Sequence, residues 1–569
     1  MSLPPMKRIL LVHPPCLEER VNAEDAASVP IGLFFIGALL REKGHVVEVL
    51  NGQRHREQPE RLRSIVEAFQ ADLIGFSVLQ ANRWGAIDMA RWVKAARPEV
   101  VTVFGGVSAS LLWRHFLTHF AEIDYVVIGE GERPMLHLIQ WLEAGGDPDG
   151  LKGIRGLAHR QDGVPVRTEC PEPLADLDAL PNPGRHFTYP HVTLSRGCPS
   201  NCRFCGSPEF WGRRVRFHSA AYFADQIEAL NRKGITFFYV SDDTFTLNRN
   251  RAIEACRELI RRKIRASWAA ISRVDAVDGE VLAWMRRAGC IQISYGVESG
   301  SPAIRSLLGK DIPDDRIAAA FAETVGYGLL PRAYFIYGCP GESPETIGQT
   351  LDLIRRIRPL AAVFYILDLF PGTGLYRDFR RRTGATDDIW LERIEDIPYF
   401  ETDPDLSREM VLDHGRRLRT GFLRMLPDLV EGIPLIDSPE FRPLHADFLS
   451  RLAMTFHRGD YAGVPEIPDA AGIARRLYDQ ALGYHPDPRA YLGLGMLDQE
   501  LGRFAEAGAW LEQGLQAFPE DTELAICLAV CHMNTGRFDA ALERLLALGE
   551  NARTRQLVAE CRRQLRSGN

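Results

Sequence analysis

Short β-rich apolar runs and amphipathic segments alternate along the first part of the chain. The pattern predicts strands at Ile9–His13, Val46–Leu50, Leu73–Ser77, Val100–Phe104 and Tyr125–Ile128, with helices at Gly32–Lys43, Pro59–Phe69, Arg83–Ala96 and Ala109–His119. Such alternation builds a parallel sheet with helices on both faces, and ligands sit beyond the carboxyl ends of its strands. After residue 145 the pattern changes. Gly156–Val166 reads as a small hairpin around Asp162-Gly163, and Pro181-Asn182-Pro183-Gly184 cannot continue a helix or a central strand. A second alternation runs from His191 to about Phe379, with strands at His191–Ser195, Ile235–Val240, Ser267–Ile271, Ile291–Val297, Leu330–Tyr337 and Ala362–Leu369. Six strand–helix units predict a partial barrel of the TIM type. From about Asp405 the pattern is helical, and Gly502-Arg503-Phe504 returns 34 residues later as Gly536-Arg537-Phe538. The expected organisation is a Rossmann-like (flavodoxin-like) α/β domain at 1–145, a linker at 146–187, the barrel at 188–400 and an all-α region at 401–569, with repeats over about 444–565.

Composition narrows the function classes. The 569 residues are 46% hydrophobic and 25% charged, the balance of a globular protein of three or four domains. A net charge of −7 argues against a general nucleic-acid binder. Only seven of the 68 basic residues are lysine, and the scattered arginines form no polybasic block of the kind that holds a membrane surface. The longest apolar run, Val29–Leu40, is too short to span a bilayer, and the four apolar residues Ile9–Val12 before His13 are too few for a signal peptide. A cytoplasmic location is expected. Eleven cysteines, an odd number at irregular spacing, make a poor disulfide framework, and most, Cys339 among them, read as small buried hydrophobes.

Three cysteines read differently. In Cys198-Pro-Ser-Asn-Cys202-Arg-Phe-Cys205, three residues separate the first pair and two the second. That loop can fold three thiolates around one face of an iron–sulfur cube, leaving the fourth iron open to a small molecule. A zinc loop would want a fourth Cys or His at compatible spacing, and none lies nearby. The triplet follows the first predicted barrel strand. Ser241-Asp242-Asp243, Ser272-Arg273-Val274-Asp275, Gly296-Val297-Glu298-Ser299-Gly300, Gly338–Glu342 and Pro371–Gly374 stand at the ends of the other five. In the first domain Gly105-Gly106-Val107-Ser108 and Gly129-Glu130-Gly131-Glu132 occupy strand ends, where glycine lets a ligand approach the backbone.

Residues 188–380 resemble the radical S-adenosylmethionine superfamily in the cysteine spacing, in the aromatic Phe204 and in the Gly296–Gly300 and Gly338–Glu342 segments. The resemblance implies that Cys198, Cys202 and Cys205 hold a [4Fe-4S] cluster. Its open iron would chelate S-adenosylmethionine and a 5′-deoxyadenosyl radical would form on reduction. A flavodoxin- or ferredoxin-type donor would supply the electron. Asp242, Arg273 and Glu298 are the candidates for holding S-adenosylmethionine, although the second strand lacks the Gly-Gly-Glu of many relatives. Residues 7–145 resemble a cobalamin-binding domain, which implies cobalamin contacts at Gly105, Gly106, Ser108, Gly129 and Glu130. The Asp-x-His-x-x-Gly of histidine-ligated cobalt is absent; the loop reads His13-Pro14-Pro15-Cys16, so no protein histidine is expected on cobalt. The stretch Cys205–Arg216 is similar to the subgroup that pairs the two domains, which includes methylases of unactivated carbon and an oxygen-independent porphyrin-ring cyclase. The C-terminal period resembles tetratricopeptide repeats, a surface for a protein partner, a dimer contact or a buttress for the barrel. The expected activity is C-methylation of a small molecule or peptide. A radical ring closure without methyl transfer is the alternative, and a repeat scaffold with a structural cluster is a third reading.

Overall fold

The computed structural model describes residues 8–17, 28–170, 172–549 and 552–567. The first series of strands forms one sheet from β1 (Arg8–His13), β2 (Val46–Asn51), β3 (Leu73–Ser77), β4 (Val101–Gly105), β5 (Tyr125–Val127), β6 (Leu157–Gln161) and β7 (Val164–Arg167), in the order β2-β1-β3-β4-β5-β6-β7. β1 to β5 are parallel, with Ile9 opposite Val47 on one side and Leu73 on the other. Helices such as Ile31–Glu42 and Arg83–Ala96 cover the faces of this sheet, so β3 is buried along its whole length and reads as a continuous apolar run without alternation. The hairpin expected in the linker is part of this sheet. β6 pairs antiparallel with β5 through Val126 and Ala158, and Arg160 ties it down by donating to the carbonyls of Leu117, Phe120 and Ile123.

The second series supplies β8 (His191–Val192), a short antiparallel pair β9 (Ser195–Arg196) and β10 (Arg216–Phe217), then β11 (Phe237–Val240), β12 (Ser267–Ser272), β13 (Cys290–Glu298), β14 (Leu330–Tyr337) and β15 (Ala361–Ile366). Six of these form an open parallel sheet in the order β15-β14-β13-β12-β11-β8, the partial barrel. The expected first strand, His191–Ser195, breaks after two residues. Asp242 pulls the chain out of the ladder: its Oδ1 accepts from Leu194 N at 2.8 Å and from the Thr193 hydroxyl at 3.0 Å.

Helices fill the C-terminal region. The first of them, Arg408–Leu429 and Arg442–His457, act as a buttress on the barrel. Arg286 donates to the Leu444 carbonyl and to Asp447, Arg451 reaches Ser267 at the start of β12, and the Tyr461 hydroxyl donates to Leu360 O, just before β15, at 2.9 Å. One hydrophobic core runs from Ile293 and Phe335 of the barrel through Phe422 and Leu452 to Leu477 and Leu494 of the first repeat. Three helix pairs follow in succession, Ala470–Tyr484 with Pro488–Glu500, Phe504–Ala517 with Thr522–Asn534, and Phe538–Ala547 with Ala552–Ser567. No helix among the described residues is long and apolar enough to cross a membrane.

The two α/β domains share buried surface. Leu367, Leu369, Tyr376 and Trp390 pack in the same cluster as Phe76, Trp84 and Phe104. Trp84 Nε1 donates to Glu392 O at 3.0 Å, and the fully buried Arg83 donates to the carbonyls of Ile394 and Glu395.

Candidate active site

Between β9 and β10 the chain makes the cysteine loop. Arg203 fixes its middle: its N donates to Leu308 O at 2.9 Å, its guanidinium reaches Leu307 O and Asp378, and its carbonyl accepts from Leu375 N at 2.9 Å. The next residue, Phe204, packs into the core shared by the two domains. Cys198, Cys202 and Cys205 are all free thiols and partly buried. Burial raises the pKa of Cys202, and it raises that of Cys205 to about 11. The Ser207 N–H, 3.5 Å from Cys205 Sγ, and the charges of Lys310 and Arg273 near Cys202 work in the opposite direction and favour thiolate.

Spacing tests what this loop can hold. Tetrahedral zinc with Zn–S near 2.3 Å would bring its sulfurs to within about 4 Å of one another. Among the described residues, three ligand atoms all within 4.8 Å of one another occur only at His115, His119 and Asp388, not at the three thiols.

Beside the loop stands a buried ion pair. Lys310 Nζ donates to Glu298 Oε1 at 2.6 Å, and both side chains are 7% exposed. Glu298 closes β13 with φ +69, a left-handed conformation rare for a non-glycine residue, at a register shift between Gly296 and Glu298. Such strain costs ~1–3 kcal/mol and persists where the surroundings impose it. A Cβ on Gly296 would lie 2.4 Å from Glu298 Oε1 and 2.5 Å from Lys310 Nζ, so glycine leaves the space that the pair fills. Arg273 is close enough for its charge to act on Cys198 and Cys202, and it forms a two-pronged pair with Asp275 at 2.9 and 2.7 Å. Of the three residues expected to hold S-adenosylmethionine, the fold thus brings Glu298 and Arg273 to the cysteines.

Asp242 is turned to another task. It is 2% exposed, and both carboxylate oxygens accept from protein groups, Thr193, Leu194 N and the Ser195 hydroxyl. Burial raises its pKa to about 6 against these bonds. Its geometry is that of a brace under the cysteine loop. Its neighbour Asp243 accepts from the Ser207 hydroxyl at 2.9 Å, on the far side of the triplet.

The carboxyl ends of both sheets open into one cavity of about 240 Å³. From the first domain come Gly105, Gly106, Gly129 and Glu130; from the barrel side come Ser195, Arg196, Ser241 and Asp243, with Phe210 and Trp211 from the helix that follows Cys205. Gly106 has φ +92, and a Cβ there would sit 3.0 Å from Val78 O. Apolar side chains such as Leu11, Leu33, Val103 and Met135 line the deep part, and no histidine is among the described lining residues. His13 is buried and its ring lies 3.3 Å from the Asn82 amide. Ser108 does not line the cavity: it is 3% exposed and its hydroxyl donates to Gln80 Oε1 at 2.8 Å. The cavity has glycine backbone at its rim and no histidine in its described lining.

Glu130 belongs to a buried network that joins the two domains. Arg196 Nη1 donates to Glu130 at 2.8 Å and Arg196 Nη2 to Glu132 at 2.7 Å, while Arg216 donates to Glu130 at 2.6 Å. Burial opposes the charge of Glu130, but Arg216 and Arg196 outweigh it and hold its pKa below the ordinary value. Sequence reasoning passed over Arg196 and Lys310, and placed Glu132 at a strand end without a partner. The scarcity of lysine, seven in the chain, was the available signal for Lys310.

Comparison with known proteins agrees with this arrangement. The Radical SAM superfamily model matches residues 192–354, the B12 binding domain model 26–139 and a tetratricopeptide repeat model 498–565. An uncharacterized methyltransferase of Pyrococcus horikoshii is 31% identical over 382 residues, 65% of this chain and 82% of that protein. The anaerobic magnesium-protoporphyrin IX monomethyl ester cyclase of Rubrivivax gelatinosus is 26% identical over 65% of this chain and 70% of its own length. Among solved structures, the radical S-adenosylmethionine methyltransferase TsrM of Kitasatospora setae, with cobalamin and a [4Fe-4S] cluster bound, shares the fold at a TM-score of 0.58 and 18% identity, covering 84% of this chain and all of the other. The chain belongs to the cobalamin-dependent radical S-adenosylmethionine enzymes. Its cofactors are those of the family: a [4Fe-4S] cluster, S-adenosylmethionine and cobalamin.

Removing the charge of Lys310 tests the pair beside the loop. Lys310→Met strands Glu298 as a lone buried carboxylate, a change that costs ~3–5 kcal/mol. The expected result is a lowered unfolding midpoint together with weaker S-adenosylmethionine binding by titration calorimetry. Wild-type affinity in the variant would remove Glu298 from cofactor binding.

Proposed function

We propose that this enzyme transfers a methyl group to an unactivated carbon of a small molecule or peptide. The observation that carries the reading is the shared cavity: two sheets point their carboxyl ends at one another across it, and the cysteine loop borders it through Phe210 and Trp211. Bound there, the cofactors supply the chemistry, a one-electron cleavage of S-adenosylmethionine to an adenosyl radical and a methyl carrier at cobalt.

The chain's own part is placement. Cys198, Cys202 and Cys205 hold the cluster, and Arg203 sets their loop. Glu298, held in place by its ion pair with Lys310, would offer a carboxylate to the bound S-adenosylmethionine, and Arg273 a cation. The backbone at Gly105, Gly106 and Gly129 would give cobalamin a close approach, and apolar side chains such as Leu11, Val103 and Met135 would pack against it. Phe210 and Trp211 line the cavity on the side of the cysteine loop. Abstraction of hydrogen from carbon needs no protein base, which suits a cavity whose charged lining is already paired in Arg196, Glu130 and Glu132. Electrons enter from outside the loop. There a groove lined by Cys202 and Cys205 carries Arg203, Arg213, Arg377 and Arg381 against Glu209 and Asp378, a basic landing for an acidic flavodoxin- or ferredoxin-type donor.

Ring closure without methyl transfer is the second reading, favoured by similarity to the Rubrivivax gelatinosus cyclase. Reduced, cobalamin-loaded enzyme separates the two. Methyl transfer is expected to give S-adenosylhomocysteine in proportion to cobalamin even before a substrate is found, and cobalamin-free enzyme only 5′-deoxyadenosine. No S-adenosylhomocysteine from the loaded enzyme would sink the methylation reading.

A further inference from the structure

Away from the cavity, the helix Trp113–His119 of the first domain faces the turn Asp387–Leu391 that follows the barrel. His115 and His119 lie four residues apart and so share one helix face, with ring centroids 5.0 Å apart. His119 Nε2 stands 3.3 Å from Asp388 Oδ1 across the domain boundary. Ligand atoms of all three residues fall within 4.8 Å of one another.

His115 is the informative member. It is 5% exposed, and neither ring nitrogen has a hydrogen-bond partner. A buried polar group left unpaired is destabilising, so its retention asks for a partner. Asp388 is held ready: the Thr386 hydroxyl donates to its Oδ2 at 3.0 Å, leaving Oδ1 toward His119. The positive charge of Arg83 nearby is spent on the carbonyls of Gln80, Ile394 and Glu395, and the negative charges of Asp387 and Asp388 oppose it.

We propose that His115, His119 and Asp388 form a site for a divalent cation of the zinc class that clips the cobalamin-binding domain to the segment following the barrel. Two imidazoles and a carboxylate are a borderline N/O donor set that suits zinc, and water completes the tetrahedron on the exposed side. The metal does no chemistry there; it satisfies His115 and spans the interface.

The test uses tag-free holoenzyme equilibrated with zinc chloride and desalted, with zinc and iron counted by mass spectrometry. The wild type is expected to retain one zinc per chain beyond its iron. His119→Ala, at a partly exposed position, and Asp388→Asn are expected to lose it, with zinc affinity by titration calorimetry falling by about 100-fold or more, since even outer partners of a metal cost about 10–100-fold. Iron content should not change. His115→Ala should lose zinc as well, and the other two variants decide the matter if it fails to fold. A protein lacking all three cysteines of the loop should keep this zinc. A wild type without zinc overturns the proposal. So does zinc that His119→Ala retains and the cysteine-free protein loses, which would place the metal at the loop.

Discussion

Cys202→Ala is expected to abolish 5′-deoxyadenosine formation, a fall of at least ~10³-fold in rate, because a cluster with one thiolate missing is not held at the distance and potential that cleavage needs. The same change should lower the iron retained by each chain. Cys202 is the strictest of the three positions to test. It lies beside Lys310, Arg273 and Glu298, whose charges act on it, and it lines the outer groove as well. Cys339→Ala serves as the control: that thiol is fully buried, burial pushes its pKa well up, and it is expected to leave cleavage intact. Retained cleavage in Cys202→Ala would remove the loop from the reaction and favour a structural cluster.

Most of the architecture was legible because the apolar pattern and the parallel sheets obey the same rule. The strand expected at Leu330–Tyr337 matches residue for residue, and Leu73–Ser77 does as well. The departures have local causes that spacing does not carry. His191–Ser195 breaks because one buried aspartate, Asp242, competes for its backbone N–H and hydroxyl groups. The hairpin at 157–167 joins the first sheet because β5 would otherwise leave an open edge. At the site, the three cysteines were readable from a linear spacing. Lys310 was not, because it meets Glu298 from a turn 12 residues away and the pair exists only through the bulge at Gly296. Ser108 and Asp242 sit at the expected strand ends but point to Gln80 and to the chain before the cysteine loop. A strand end fixes position; side-chain direction depends on which donors burial leaves unpaired.

Arg196→Ala is expected to be the most destabilising single change at the junction of the two domains. Arg196 is 7% exposed and is the common partner of Glu130 and Glu132, so its removal leaves Glu132 without its arginine and Glu130 with Arg216 alone. Breaking a buried pair in this way costs ~3–5 kcal/mol. The effect should also carry a pH signature. The folded-state pKa of Glu130 is held below the ordinary 4.5. The unfolded chain therefore binds more protons in that window, so the network's contribution is fully present above about 4.5 and is lost as pH falls through the lowered folded value. In denaturant titrations between about pH 7 and 3, the wild type should lose stability on the acid side more steeply than Arg196→Ala, the two curves converging as Glu130 takes up its proton. Because Arg196 and Glu130 also line the cavity, the variant should release cobalamin more readily at neutral pH. An unchanged midpoint with unchanged cobalamin retention would mean that the apolar contacts between Phe34, Phe187 and Tyr189 hold the domains together without the charges.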